Sequence, residues 1–225
     1  MSDRETVLDR IRKANSGNAL RSDRETLQAR MREHRINLMP SRADKSEAER
    51  FELFIAKCEE LAISIDRLND PAEVPEAVAS WLSAHNLPAD IRLSPAADVS
   101  GLPWDRAPLL NCAAGPAEIS DQVSVTPAAA GIAETGTLIM ASGPETPATL
   151  NFVPDNHIVV LKRSQVVRAM EDAFALLRER FGEGNLPRTV NMISGPSRTG
   201  DVEQKIVMGA HGPRRLHIML IDDAG

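Results

Sequence analysis

The chain has 225 residues, 42% of them hydrophobic, and a formal net charge of −6. That apolar content is enough for a globular core, while the acidic balance argues against a general nucleic-acid binder, which carries a basic surface. No apolar run approaches the roughly 20 residues that cross a bilayer, and the start, Met-Ser-Asp-Arg-Glu-Thr, lacks the apolar stretch of a signal peptide, so a soluble cytoplasmic protein without a membrane span is expected.

Cys58 and Cys112 stand far apart and match no metal-ligand spacing. Two thiols are too few for an iron–sulfur cluster or a structural zinc site. No metal or cofactor is therefore expected on this chain alone, and both cysteines read as reduced and structural. Aromatic residues make up only 3% and Tyr is absent, so the core must be mostly aliphatic.

Residues 1–36 carry nine Lys/Arg against six Asp/Glu. Val7, Leu8 and Ile11 lie at helical spacing, as do Leu27 and Met31 with Ile36 more loosely, and Gly17 and Asn18 separate the two runs. Two short amphipathic helices follow, too poor in apolar residues to form a core. This arm, with a linker near Pro40, is expected to cover residues 1–40. It either docks on the main body, docks on a partner or stays mobile.

The main domain is expected over residues 41–225. Ser46 and Glu49 form a capping box before a helix to about Leu61, with Phe51, Phe54, Ile55, Cys58 and Leu61 on one face. Ala62 to Leu68 alternates as a short strand, and Val74 to His85 reads as a helix. His85 reads as a C-terminal helix residue, because no metal partner stands at a suitable spacing. Ile91 to Leu93 is a short strand, Trp104 a loop anchor, and Leu109–Leu110 the start of another strand.

Gln122 to Thr126 alternates like a strand, and Thr137 to Ala141 reads as a buried one preceded by a turn or bulge at Gly136. Glu134 and Thr135 sit at its mouth. Glu134 has the chemistry of a general base or a hydroxyl acceptor, and equally of a surface or turn carboxylate. Ile158 to Leu161 is an apolar strand. His157, before it, either orients a ligand or bonds a nearby carbonyl. Val166 to Phe181 reads as a helix and Val190 to Ile193 as a strand.

That strand runs into Ser194-Gly-Pro-Ser-Arg-Thr-Gly-Asp201. Asp201 and Gln204 form an Asp-x-x-Gln capping box, so a helix over Val202 to Met208 is expected, with Gly209 as its stop. A strand, tight loop and helix N-terminus would offer free N–H groups and a positive dipole end. Ser194, Gly195, Ser197, Arg198 and Thr199 are thus candidates for binding a phosphate or carboxylate. The plain alternative is an ordinary turn with Arg198 solvated or paired to Asp201. Leu216 to Ile221 is the last strand. The alternation of strands and helices favours an α/β layered fold with a mostly parallel sheet, in which ligands sit outside the carboxyl ends of the strands.

Three segments together resemble the lactate-utilisation protein C family, also called the LUD-domain family: Gly131-Ile-Ala-Glu-Thr-Gly-Thr137, Val153-Pro-Asp-Asn-His-Ile158, and Ser194-Gly-Pro-Ser-Arg-Thr-Gly-Asp-Val-Glu203 followed by Gly209-Ala-His-Gly-Pro-Arg-Arg-Leu-His217. The likeness is good over roughly residues 105–225 and loose from about 45 to 105. The family usually shows Ala where Gly200 stands here, a change that loosens the loop slightly. The resemblance implies a three-layer α/β/α fold similar to sugar-phosphate isomerases and CoA transferases, whose activities do not transfer with the fold. It also implies a non-autonomous subunit of a system oxidising L-lactate to pyruvate, with the iron–sulfur clusters held by partner proteins. Within the matching motifs, Glu134 and His211 are the candidate catalytic residues. Thr135, Gly136, Thr137, Ser194, Gly195, Ser197, Arg198 and Thr199 are the candidates for binding substrate or a small anion. The alternatives are a stand-alone enzyme or a regulatory binding module for a small phosphorylated or CoA-linked metabolite.

Overall fold

A computed structural model describes residues 3–16, 24–34, 36, 39–182, 184–202, 205–209 and 211–223. The chain divides into two compact units, Met1–Leu38 and Met39–Gly225. The first contains helices α1 (Asp3–Ser16) and α2 (Arg24–Glu33), matching the two apolar runs. The Gly17–Asn18 break lies outside the described residues.

The second unit is built on a six-stranded, wholly parallel sheet of β1 (Ser64–Leu68), β2 (Asp90–Leu93), β3 (Asn111–Ala114), β4 (Val123–Pro127), β7 (Asn156–Lys162) and β12 (Arg215–Ile221), in the order β1-β12-β7-β4-β2-β3. A four-stranded mixed sheet holds β5 (Ala130–Ile132), β6 (Thr137–Ala141), β8 (Val166–Val167) and β9 (Val190–Ile193), in the order β8-β5-β6-β9.

The central strands are apolar on both faces, as a covered parallel sheet requires. Val159, Leu161, Ile218 and Leu220 pack with Phe51, Phe54 and Cys58 of α3 (Glu47–Glu60), and with Leu138 and Met140 of the smaller sheet. Ile158, Val160, Met219 and Ile221 face the other way, onto Val74, Val78, Trp81 and Leu82 of α4 (Val74–Ala84). Burying each large side chain contributes roughly 1.5–3 kcal/mol, so neither α3 nor α4 can be lost without the sheet. Ser46 caps α3 as its sequence implies: its hydroxyl accepts from the Glu49 N–H while the Glu49 carboxylate accepts from the Ser46 N–H. The short α5 (Ala97–Ser100) buries Val99, and α6 (Met170–Phe181) lays Ala173 and Leu177 on the smaller sheet.

Two expectations change. The helix near 166 starts at Met170, because Val166 and Val167 extend β5's sheet as β8. Among the described residues no helix follows Asp201. Arg198–Val202 and Lys205–Met208 are strands β10 and β11 of an antiparallel hairpin. The β-branched pair Ile206–Val207 favours an extended backbone, and seven residues form barely two helical turns. The other half of the capping box, Gln204, lies outside the described residues.

Candidate functional site

Three of the sequence's candidates form one chain of hydroxyls. Thr135 Oγ1 lies 2.7 Å from Thr137 Oγ1, which lies 2.8 Å from Ser194 Oγ. The mixed sheet makes this contact: β6 and β9 run antiparallel with Leu138 opposite Ile193, so the start of β6 meets the end of β9. Gly136 permits the tight turn into β6, with φ of +66° and its N–H donating to Ile132 O.

The carboxyl end of α3 closes one side. A Cβ on Gly136 would stand 2.9 Å from the Lys57 carbonyl carbon, and one on Gly195, whose φ is +107°, would stand 2.9 Å from Leu61 O. Arg198 Nη2 donates to that same Leu61 oxygen at 3.3 Å. Gly136, Gly195 and Arg198 therefore converge on one helix end. A cation there is stabilised by the negative end of the helix dipole, by about 0.3–1 kcal/mol.

This reverses the electrostatics expected from the sequence. The loop after β9 enters a hairpin, so no positive helix terminus supports an anion. Nor does the loop lie at the carboxyl end of a parallel strand. Strand β9 belongs to the mixed sheet, and Ser197 N–H donates to Pro213 O, just before β12 begins. Nearby, Arg214 N–H donates to Asp155 O, ahead of β7. The loop thus sits by the amino ends of β7 and β12.

Ser197 accepts from the His211 N–H at 3.3 Å through its hydroxyl, and from the Gly209 N–H through its carbonyl. These bonds tie the base of the β10–β11 hairpin. The His211 side chain is exposed. Thr199 lies in β10 opposite Val207, and its side chain is outside the described residues.

Glu134 is nearly buried, its side chain only 9% exposed, and it accepts from Arg42 at 2.6 and 3.0 Å. Sequence reading did not single out Arg42, which lies 92 positions away. No local signal links the two. Both bonds fall on Oε1, so the pair anchors the carboxylate through one oxygen.

His157 is fully buried on β7 and bonds Thr126 Oγ1 at 2.7 Å through Nε2. Burial lowers its pKa to about 3, so the ring is neutral. Cys58 faces Gly136 O at 3.8 Å, and burial, assisted by Glu59, pushes its thiol up to about 12. Neither is poised for chemistry at neutral pH. Among the described residues no three His, Cys, Asp or Glu side chains gather as a metal-binding group, and no helix is long and apolar enough to cross a membrane.

Residues 119–221 match the LUD domain family. Over 107 residues the chain is 36% identical to Lactate utilization protein C of Shouchella clausii, covering 48% of this chain and 46% of that protein. It is 42% identical over 91 residues to an uncharacterized protein of Neisseria meningitidis serogroup B, covering 40% and 38%. To Lactate utilization protein C of a Geobacillus species it is 34% identical over 93 residues, covering 41% and 39%. The chain thus spans less than half the length of these curated relatives. The crystal structure of a DUF162 family protein from Deinococcus radiodurans superposes with a TM-score of 0.58 at 25% identity, covering 79% of this chain and 99% of that one. The stretch that matches the LUD domain family, residues 119–221, contains Thr135, Thr137, Ser194 and Arg198 together.

Proposed function

From the premise that this chain belongs to the LUD-domain family, we propose that it serves lactate utilisation as a subunit of an L-lactate-oxidising system, acting with iron–sulfur partner proteins in the cytoplasm. The observation that carries the proposal is the likeness to proteins named Lactate utilization protein C, together with a LUD-domain match over residues 119–221 that includes the hydroxyl chain.

In this reading the site takes a 2-hydroxy carboxylate. The hydroxyl of lactate joins the Thr135–Thr137–Ser194 chain, whose end hydroxyls each have a bond to give or take. Its carboxylate takes Arg198, which exchanges its bond to Leu61 O for a charge-assisted pair. Oxidation to pyruvate removes two electrons and two protons. The electrons leave to the clusters of the partner proteins, since this chain has two cysteines and no Gly-x-Gly-x-x-Gly fingerprint for a dinucleotide.

The test is dye-linked lactate oxidation by the chain alone, by purified iron–sulfur partners alone, and by all together. Activity is expected only in the complete mixture. Robust activity of the chain alone, or full activity of the partners without it, refutes the proposal.

A further inference from the structure

A second cluster of reactive side chains lies on the other face of the parallel sheet, at its β1 edge. Ser64 Oγ is 2.8 Å from His217 Nδ1, and His217 Nε2 is 3.5 Å from Asp66 Oδ2. The three residues come from two neighbouring strands. Ser64 and His217 are directly paired in register, and Asp66 stands two residues further along β1 on the same face. His217 is 1% exposed and stacks on the Trp81 ring of α4 at 5.0 Å, while Ser64 is exposed to solvent.

We propose that Ser64, His217 and Asp66 form an acyl-transfer centre, with Ser64 as nucleophile, His217 as general base and Asp66 as the positioning residue, acting on a short-chain carboxylic ester or thioester. The tautomer follows from the partners. Asp66 is the acidic group facing Nε2, so Nε2 carries the proton and Nδ1 is left to accept from the Ser64 hydroxyl. Nε2 is buried with no hydrogen-bond partner among the described residues. The carboxylate at ion-pair distance is therefore what stabilises the ring once it is charged. Trp81 of α4, His85 just past its end and the apolar Ile158 of β7 also lie about the ring. Burial holds the imidazole pKa down at about 4, so it is neutral and able to take a proton at pH 7.

The strand edge supplies the remaining part. Strand β1 is the outermost strand, and Leu68 O accepts from Asp222 N–H on the β12 side. The two-residue alternation then turns the peptide groups of Ser64 and Asp66 towards β12 and the N–H of Ile65 to the open edge. An N–H directly after the nucleophile is a known oxyanion donor. Ser64 is exposed at this open edge, so a small ester or thioester reaches its hydroxyl directly from solvent.

In the reaction Ser64 Oγ bonds to the carbonyl carbon while its proton passes to His217 Nδ1. The bond to the leaving alcohol or thiol breaks as His217 returns that proton to it. Water, giving a proton to His217, then attacks the acyl carbon; the bond to Ser64 Oγ breaks, His217 returns that proton to Oγ, and the carboxylic acid leaves. No electrons are exchanged.

The test treats the full chain with a fluorophosphonate probe and maps the adduct by mass spectrometry, then follows p-nitrophenyl acetate turnover. A single adduct on Ser64 is expected. Ser64→Ala, a change at an exposed position, should abolish labelling and lower turnover about 100-fold or more with an unchanged circular dichroism spectrum. Asp66→Asn should lower the labelling rate and move its acidic limb to lower pH, because the imidazolium loses its carboxylate. No adduct, or an adduct that survives Ser64→Ala, overturns the proposal. An unmoved pH profile in Asp66→Asn removes Asp66 from it.

Discussion

Replacing Gly136 by Ala tests the close packing of the β6 turn on helix α3. Its φ is +66°, where an L side chain costs about 1–2 kcal/mol. The added Cβ would also stand 2.9 Å from the Lys57 carbonyl carbon, 3.1 Å from the Cys58 nitrogen and 3.1 Å from Leu61 Cδ1. Two of these neighbours are helix backbone and cannot step aside, so overpacking adds about 1–3 kcal/mol. Gly184 is the control. Its φ is +76° and nothing lies within 4 Å of its would-be Cβ, so Gly184→Ala carries only the conformational cost. In a protein of this size each kcal/mol lowers Tm by about 2–4 °C. Gly136→Ala should therefore melt roughly 2–12 °C below Gly184→Ala in parallel thermal scans. Coincident melting curves for the two variants would refute the argument that α3 is wedged against this turn.

Arg42→Ala leaves the Glu134 carboxylate without its partner, and should destabilise the protein by about 1–2 kcal/mol, discounted because Arg42 itself is largely exposed. Urea titration of this variant beside Arg42→Lys measures it. Acid should weaken the fold before its carboxylates titrate. His217 and His157 titrate near 4 and 3 when folded, against 6.5 ordinarily, so the unfolded chain binds more protons below about pH 6.5. The urea midpoint should hold from pH 8 to 7 and fall as pH drops from about 6.5 towards 4, and a midpoint unchanged down to pH 4.5 would refute it. Removing residues 1–38, a compact unit of its own, should shift the main melting transition by less than about 2 °C. Collapse of that transition in a scanning calorimeter would make the arm part of the fold.

Much of the fold is written locally. The capping box at Ser46, the apolar face of α3 and the continuous apolar runs of β7 and β12 each announce their element, because period and burial coincide there. The β10–β11 hairpin was hidden by a local coincidence. Asp201 and Gln204 imitate a helix start, Gly209 ends a strand as readily as a helix, and only Ile206–Val207 speaks for the extended form. Of the site, the identity of its hydroxyls was legible, but their meeting was not. Thr137 and Ser194 join across 57 positions because β6 pairs with β9, and strand alternation says nothing about which strand lies alongside. Ser64 and His217 are 153 positions apart. Each alone reads as an ordinary strand residue, and so does Arg42 as an ordinary surface cation.

The order of the parallel sheet constrains how the polypeptide can be made. Strand β12, residues 215–221, lies between β1 and β7, so β1 has no neighbour in the sheet until β12, the latest of its six strands in chain order, arrives. On the ribosome, where folding otherwise proceeds from the amino end, β1 and β7 must wait with bare edges through the synthesis of the intervening segments. Closure joins residues 153 positions apart, such as Ser64 and His217, which makes it slow. An arrested or clipped nascent chain would present two open apolar edges, the template for pairing with another copy. Only a chain translated through Ile221 can seal the sheet between β1 and β7.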